Sequence, residues 1–203
     1  MAIDLRDVPE EKQTYEMCLA SVMVDGEQLQ YVNKGFQTKE LCLKAVRQSG
    51  RALRFVKEQT SELCLEAVTQ NGLNLVFVQQ QTPMICLAAV KEWGNALQYV
   101  KDQTPEICLA AVKQNGLALQ FVQEQTSEIC LEAIKQNSYA LKYVKNQTPE
   151  ICLAAVKRFG LTLQYVKEQT PEICVAAVKQ DRRALEYVKD QTLLLSHAEE
   201  PRH

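Results

Sequence analysis

Histidine is nearly missing from this chain. Only two occur in 203 residues, His197 and His203, both close to the C-terminus. The body of the sequence therefore has no imidazole base for a catalytic triad. No glycine-rich phosphate loop is present, because the seven glycines are spread along the chain. Long apolar runs are absent as well; none approaches the roughly 18 residues a membrane-spanning helix needs, so no membrane partner is expected. Met1–Lys12 has no basic segment followed by an apolar one, the pattern of a secretory leader. A surplus of charge is also lacking. Lys and Arg number 23 against 25 Asp and Glu, for a net charge of -2. Domains that bind nucleic acid by neutralising phosphates are usually strongly basic, so no nucleic-acid partner is expected either.

Cysteine, by contrast, is plentiful. The eight are Cys18, Cys42, Cys64, Cys86, Cys108, Cys130, Cys152 and Cys174. Six of the seven gaps are 22 residues and the first is 24. One cysteine per unit at fixed phase is a structural column rather than a disulfide framework. Stacked helices lie on the order of 9–10 Å apart, whereas a disulfide needs Cα atoms within about 7 Å. Free thiols and a reducing, cytoplasmic compartment are the expectation. No C-x₂₋₄-C pair exists, so no metal or other cofactor is expected.

The cysteines mark a tandem repeat. Aligned on the Gln-Thr dipeptides, from Gln37-Thr38 to Gln191-Thr192, the sequence divides into eight units spanning residues 14–191. A lead-in, residues 1–13, precedes them, and a C-terminal cap and tail, residues 192–203, follows. The clearest unit is Thr104–Gln125, TPEICLAAVKQNGLALQFVQEQ. Repeat one is longer by two residues, in Asn33–Phe36.

Each column of the repeat has a physical reading. Thr is a good N-cap, Pro is tolerated at the first helical position, and Glu suits the positive end of the helix dipole. Ile-Cys-Leu-Ala-Ala-Val is apolar on nearly every side, as in a helix sandwiched between neighbours; Leu109 is accordingly expected to be buried. Glycine then stands where a left-handed C′ residue would end the helix. Leu117, Leu119 and Phe121 alternate like a strand, and 22 residues is also a leucine-rich-repeat length. The helix-forming composition and the pairing of Leu119 with Val122 favour a second short helix. The predicted fold is all-α, an α-solenoid of eight 22-residue helix-turn-helix repeats, with an α/β horseshoe as the alternative. Leu193, Leu194 and Leu195 are read as covering the open end of repeat eight, with Ser196 onward as a frayed tail.

The core LAAVKQNGLALQFV, Leu109–Val122, resembles an uncharacterised family of short α-helical tandem repeats found in bacterial and large-DNA-virus proteins. The resemblance runs from Thr14 to Gln191 and is weakest in repeat one. It implies a helical solenoid acting inside cells. That family has no assigned catalytic residues to carry over.

Glutamates recur at the helix start in all repeats but the fourth, which has Met84, as a dipole role predicts, whereas paired catalytic carboxylates would mark one special place. The chain is therefore read as non-enzymatic. Binding information is expected in columns that vary over the fixed scaffold. Before the glycine column, where Asn is the usual residue, stand Trp93 and Phe159; after that column, which holds Ser138 and Arg182 in repeats six and eight, stand Arg51, Tyr139 and Arg183. Trp93 and Phe159 lie three repeats apart, and Thr60–Gln125 and Thr126–Gln191 read as a duplicated block. Exposed aromatics are enriched in interface hot spots. A protein partner anchored on Trp93, Phe159 and Tyr139, with Arg51 and Arg183 beside them, is the leading expectation. A small molecule or nucleotide held by Arg51 and Arg183 is the alternative, and self-assembly through open ends is a third.

Overall fold

The computed structural model describes residues 4–192. The leucines read as an end cap, Leu193–Leu195, and both histidines lie outside them. The fold is an α-solenoid. Each repeat is a ten-residue α-helix followed by a six-residue 3-10 helix. The α-helices are α1 (Tyr15–Val24), α2 (Lys39–Gln48), α3 (Ser61–Gln70), α4 (Pro83–Glu92), α5 (Pro105–Gln114), α6 (Ser127–Gln136), α7 (Pro149–Arg158) and α8 (Pro171–Gln180). No strand occurs among the described residues, so the horseshoe alternative is not favoured. Two compact units divide the chain, Met1–Asp102 and Gln103–His203. In the first, α1 to α4 pack in sequence; in the second, α5 to α8 do the same.

Local chemistry accounts for the elements. Every α-helix begins at a threonine whose hydroxyl accepts the N–H three residues on, as Thr104 does from Ile107 at 3.3 Å. The second segment is a 3-10 helix with about three residues per turn, so Leu117, Leu119 and Phe121 alternate in sequence without sharing a face. In Gly116–Phe121, Ala118 and Leu119 face inward, Leu117 and Phe121 are half-buried, and Val122 follows Leu119 into the core at i+3.

Two expectations require correction. Among the described residues no glycine has a positive φ, so the glycines are not left-handed C′ residues. The helix ends one residue earlier, on an extended residue, and the glycine starts the 3-10 helix. Glycine is needed because the next repeat's backbone presses on it. A Cβ at Gly26 or Gly72 would sit 2.2 Å from the carbonyl oxygen of Ala45 or Ala89, and at Gly116 or Gly160 2.4 Å from that of Ala133 or Ala177. Repeat six has Ser138 in this column, buried, with its hydroxyl unpartnered. Repeat eight has Arg182, exposed, with no further repeat against it among the described residues. The second correction is Leu109, which is half-buried. The α layer has the 3-10 layer on only one side, so the Leu109 column lies toward the opposite surface while Ile107, Ala111 and Val112 are buried.

The Gln-Thr glutamines hold successive repeats together. Gln125 Nε2 donates to the carbonyl oxygens of Leu119 at 3.3 Å and Tyr143 at 3.0 Å, while its Oε1 accepts the Lys145 N–H at 2.9 Å. Gln59, Gln81, Gln147 and Gln169 bond the next repeat in the same way. So does Gln13, which reaches Tyr31 and Asn33 from the lead-in. Gln37, displaced by the insertion in repeat one, donates only to Leu29 at 3.4 Å and leaves its Oε1 unpartnered. Gln125→Ala is therefore expected to cost about 1–2 kcal/mol, the penalty of orphaning part-buried carbonyls of Leu119 and Tyr143 and a more exposed Lys145 N–H. Gln37→Ala should cost under about 1 kcal/mol, since it orphans little. Urea midpoints at unchanged m-value check the difference.

Candidate functional site: the edge where each α-helix ends

One residue per repeat ends the α-helix and caps the 3-10 helix. Its φ lies between -140° and -157° in all eight repeats. Where that residue is Asp25, Asn71, Asn115, Asn137 or Asp181, its side-chain oxygen accepts the N–H two residues on. Trp93 and Phe159 make no such bond. At these two positions an aromatic surface replaces a local hydrogen bond.

The two aromatics are not equivalent. Trp93, in the first unit, is 48% exposed, as expected of a residue beside a helix end. Phe159, in the second unit, is only half-buried rather than open, because Tyr139 from the preceding repeat packs on it. Their ring centroids are 5.1 Å apart at an interplanar angle of 52°. Tyr139 also meets Tyr165 edge-on at 6.0 Å. The result is a three-ring cluster whose outermost member, Tyr139, is 37% exposed. Aromatic pairs in such offset geometry gain about 0.5–1.5 kcal/mol beyond area burial, which holds the rings in place.

The arginines are occupied. Arg51 lies 3.6 Å from Glu27, which Arg54 also engages at 2.6 Å. Arg183 forks onto Asp181, with Nη2 at 2.7 Å and Nε at 3.2 Å from the same oxygen. The hydrogen bonds from Arg183 hold the Asp181 carboxyl below the usual carboxylate range. An anion at either guanidinium would meet the charge of a carboxylate already beside it. Of the expected residues, the structure brings together Tyr139 and Phe159. Arg51 and Trp93 lie in the first unit with repeat three between them, and Arg183 belongs to repeat eight of the second.

The cysteines are all free and buried. Most of them donate Sγ–H to the glutamine that precedes the helix, as Cys108 does to Gln103 Oε1 at 3.6 Å. Burial pushes their thiols upward, away from the reactive thiolate. A groove of about 310 Å³ lies over Cys64, lined by Lys57, Glu58, Thr60, Gln79 and Thr82 among others, but the thiol at its floor is 3% exposed. Among the described residues no group of His, Cys, Asp and Glu is arranged to hold a metal ion. Nor is any described helix long and apolar enough to cross a membrane.

Sequence reasoning missed Lys157, Arg158 and Arg182 on this edge, and Tyr165 behind it. Arg158 and Arg182 carried a signal: each breaks a column, Arg158 that of Gln70, Gln136 and Gln180, and Arg182 that of the glycines. Tyr165 carried none, because every repeat has an aromatic there.

A family model described as Domain of unknown function (DUF4116) matches residues 14–59, 85–125, 104–147 and 148–192. No curated protein and no solved structure matches the chain.

Proposed function

We propose that this chain, which belongs to the DUF4116 family, is a non-catalytic scaffold that binds a protein partner along the edge where its α-helices end. The observation that carries this reading is the Tyr139–Phe159 pair. It is an aromatic surface kept rigid by ring contacts and open on one side, where five other repeats place an Asn or Asp cap. Rigid aromatic side chains lose little conformational entropy on binding and dominate interface energetics. Trp93 supplies the corresponding anchor in the first unit. The titratable groups fit the same reading, because helix-start glutamates and column cysteines repeat in structural roles. Buried free thiols are also in keeping with a reducing, cytoplasmic setting.

The test compares wild type with Trp93→Ala/Phe159→Ala, each used as bait in lysate of the native host, with quantitative mass spectrometry of what is retained. Circular dichroism establishes first that the double variant is folded. A partner retained by wild type and reduced about tenfold or more in the variant is expected of hot-spot residues. Equal recovery by both baits would remove the site.

A further inference from the structure

The second unit carries charge on this edge that the helices do not require. Lys113, Lys135, Lys157 and Lys179 close the last turns of α5 to α8, the ordinary answer to the negative end of a helix dipole. Arg158, Arg182 and Arg183 stand on the same edge in addition, and all seven side chains are exposed. Against them are Asp181, bonded to Arg183, Glu186, whose charge also acts on Arg183, and Glu132, 3.8 Å from Lys135. Four helix ends contribute about two further negative charges at roughly half a charge each, so a surplus of about two positive charges remains.

The opposite edge of the same unit is its complement. Glu106, Glu128, Glu150 and Glu172 occupy the first turns of the helices. The lysines there, Lys145, Lys167 and Lys189, turn back onto carbonyl oxygens of the preceding repeat, at 2.7, 2.8 and 2.9 Å in turn. The unit is thus polarised, with the aromatic cluster on the cationic side. In the first unit, Arg51 and Arg54 share Glu27, and Arg47 lies 3.4 Å from Glu66.

We infer that the second unit binds an acidic peptide segment of its partner. The segment's carboxylates lie along Lys157, Arg158 and Arg182, and one apolar or aromatic side chain packs against Tyr139 and Phe159. The inference rests on the scaffold reading and names the chemistry of the partner. A single-stranded nucleic acid is the less suitable polyanion. Its bases stack on open ring faces, whereas Tyr139, Phe159 and Tyr165 tilt into one another. The acidic opposite edge and the overall charge of -2 also disfavour a long polyanion.

A random peptide library displayed on phage, selected on the full chain, tests this directly. Enriched peptides should carry clustered Asp and Glu around an aromatic or large aliphatic residue. Synthetic copies, followed by fluorescence anisotropy, should bind about tenfold or more weakly to Lys157→Glu/Arg158→Glu and lose affinity as salt rises. Glu150→Lys/Glu172→Lys, on the opposite edge, should bind them at least as well as wild type. Three results would overturn the inference: no acidic surplus in the selected peptides, equal binding to Lys157→Glu/Arg158→Glu, or poly-U bound more tightly than any peptide. A lysate partner lost with Trp93→Ala/Phe159→Ala but indifferent to Lys157→Glu/Arg158→Glu would keep the scaffold and remove only the acidic assignment.

Discussion

Leu119→Asp is expected to unfold the second unit. Leu119 has no exposed surface and lies in a 3-10 helix that packs against α5, α6 and the 3-10 helix of the next repeat. A carboxylate there has neither water nor a cation within the core to compensate it. The cost is on the order of 4 kcal/mol or more, counting lost apolar burial and an unpaired charge. That is most of the stability of a domain worth about 5–15 kcal/mol. Far-ultraviolet circular dichroism and a thermal melt read the outcome directly. Leu109→Asp, ten residues earlier, should cost only about 1–2 kcal/mol, because a half-buried leucine loses less and its replacement keeps contact with water. Equal melting of the two variants would mean that the division between buried and half-buried leucine columns is wrong.

Gly116→Ala is the second large effect. The new Cβ would lie 2.4 Å from the Ala133 carbonyl oxygen, 2.8 Å from Gln136 Oε1 and 3.0 Å from Asn137 Cβ. The nearest of these is backbone in the next helix, so the clash is relieved only by opening the junction between repeats five and six. About 3 kcal/mol is expected, the upper end of over-packing costs. Gly35→Ala, where the nearest atom is Asn33 Oδ1 at 3.3 Å, should stay within about 0.5 kcal/mol of wild type. Gly116→Asn separates two explanations of the column. A left-handed position would tolerate Asn, whereas close approach makes Asn at least as harmful as Ala. Ser138 shows what partial tolerance requires. Its junction has Arg158 where that of Gly116 has Gln136 and that of Gly160 has Gln180, so no amide oxygen stands beside the Cβ, yet the serine hydroxyl is left without a partner.

Much of the architecture was legible because it is encoded locally and repeated. The Thr N-caps, the proline at the first helical position of four repeats and the 22-residue spacing of the cysteines each have one physical meaning, and repetition along the chain removes the ambiguity of any single one. The strand-or-helix question in Leu117–Phe121 was harder. Alternating apolar residues suit a strand, whereas in a 3-10 helix of three residues per turn it is positions three apart that share a face. The Leu119–Val122 pair was the discriminating detail. Of the candidate site, the sequence identified the aromatic breaks in an Asn column, Trp93 and Phe159, and the neighbouring Tyr139.

Contacts between repeats were not legible. That Tyr139 lies on Phe159, that Arg183 is spent on Asp181, and that Arg51 shares Glu27 with Arg54 are facts of how one repeat is set against the next. Local residue preference carries no trace of them. The glycine column is the sharpest case. Its spacing and its place after a helix pointed to backbone conformation, and only the tertiary structure located the cause in a carbonyl oxygen some 17 positions further along the chain. By itself the sequence determined the repeat, its helices, its caps and its free thiols, because those follow from each residue's own chemistry at a fixed phase. The tertiary structure decided which leucines are buried, which charges are already matched and which edge is left cationic, because burial and pairing depend on neighbours that the chain brings together only by folding.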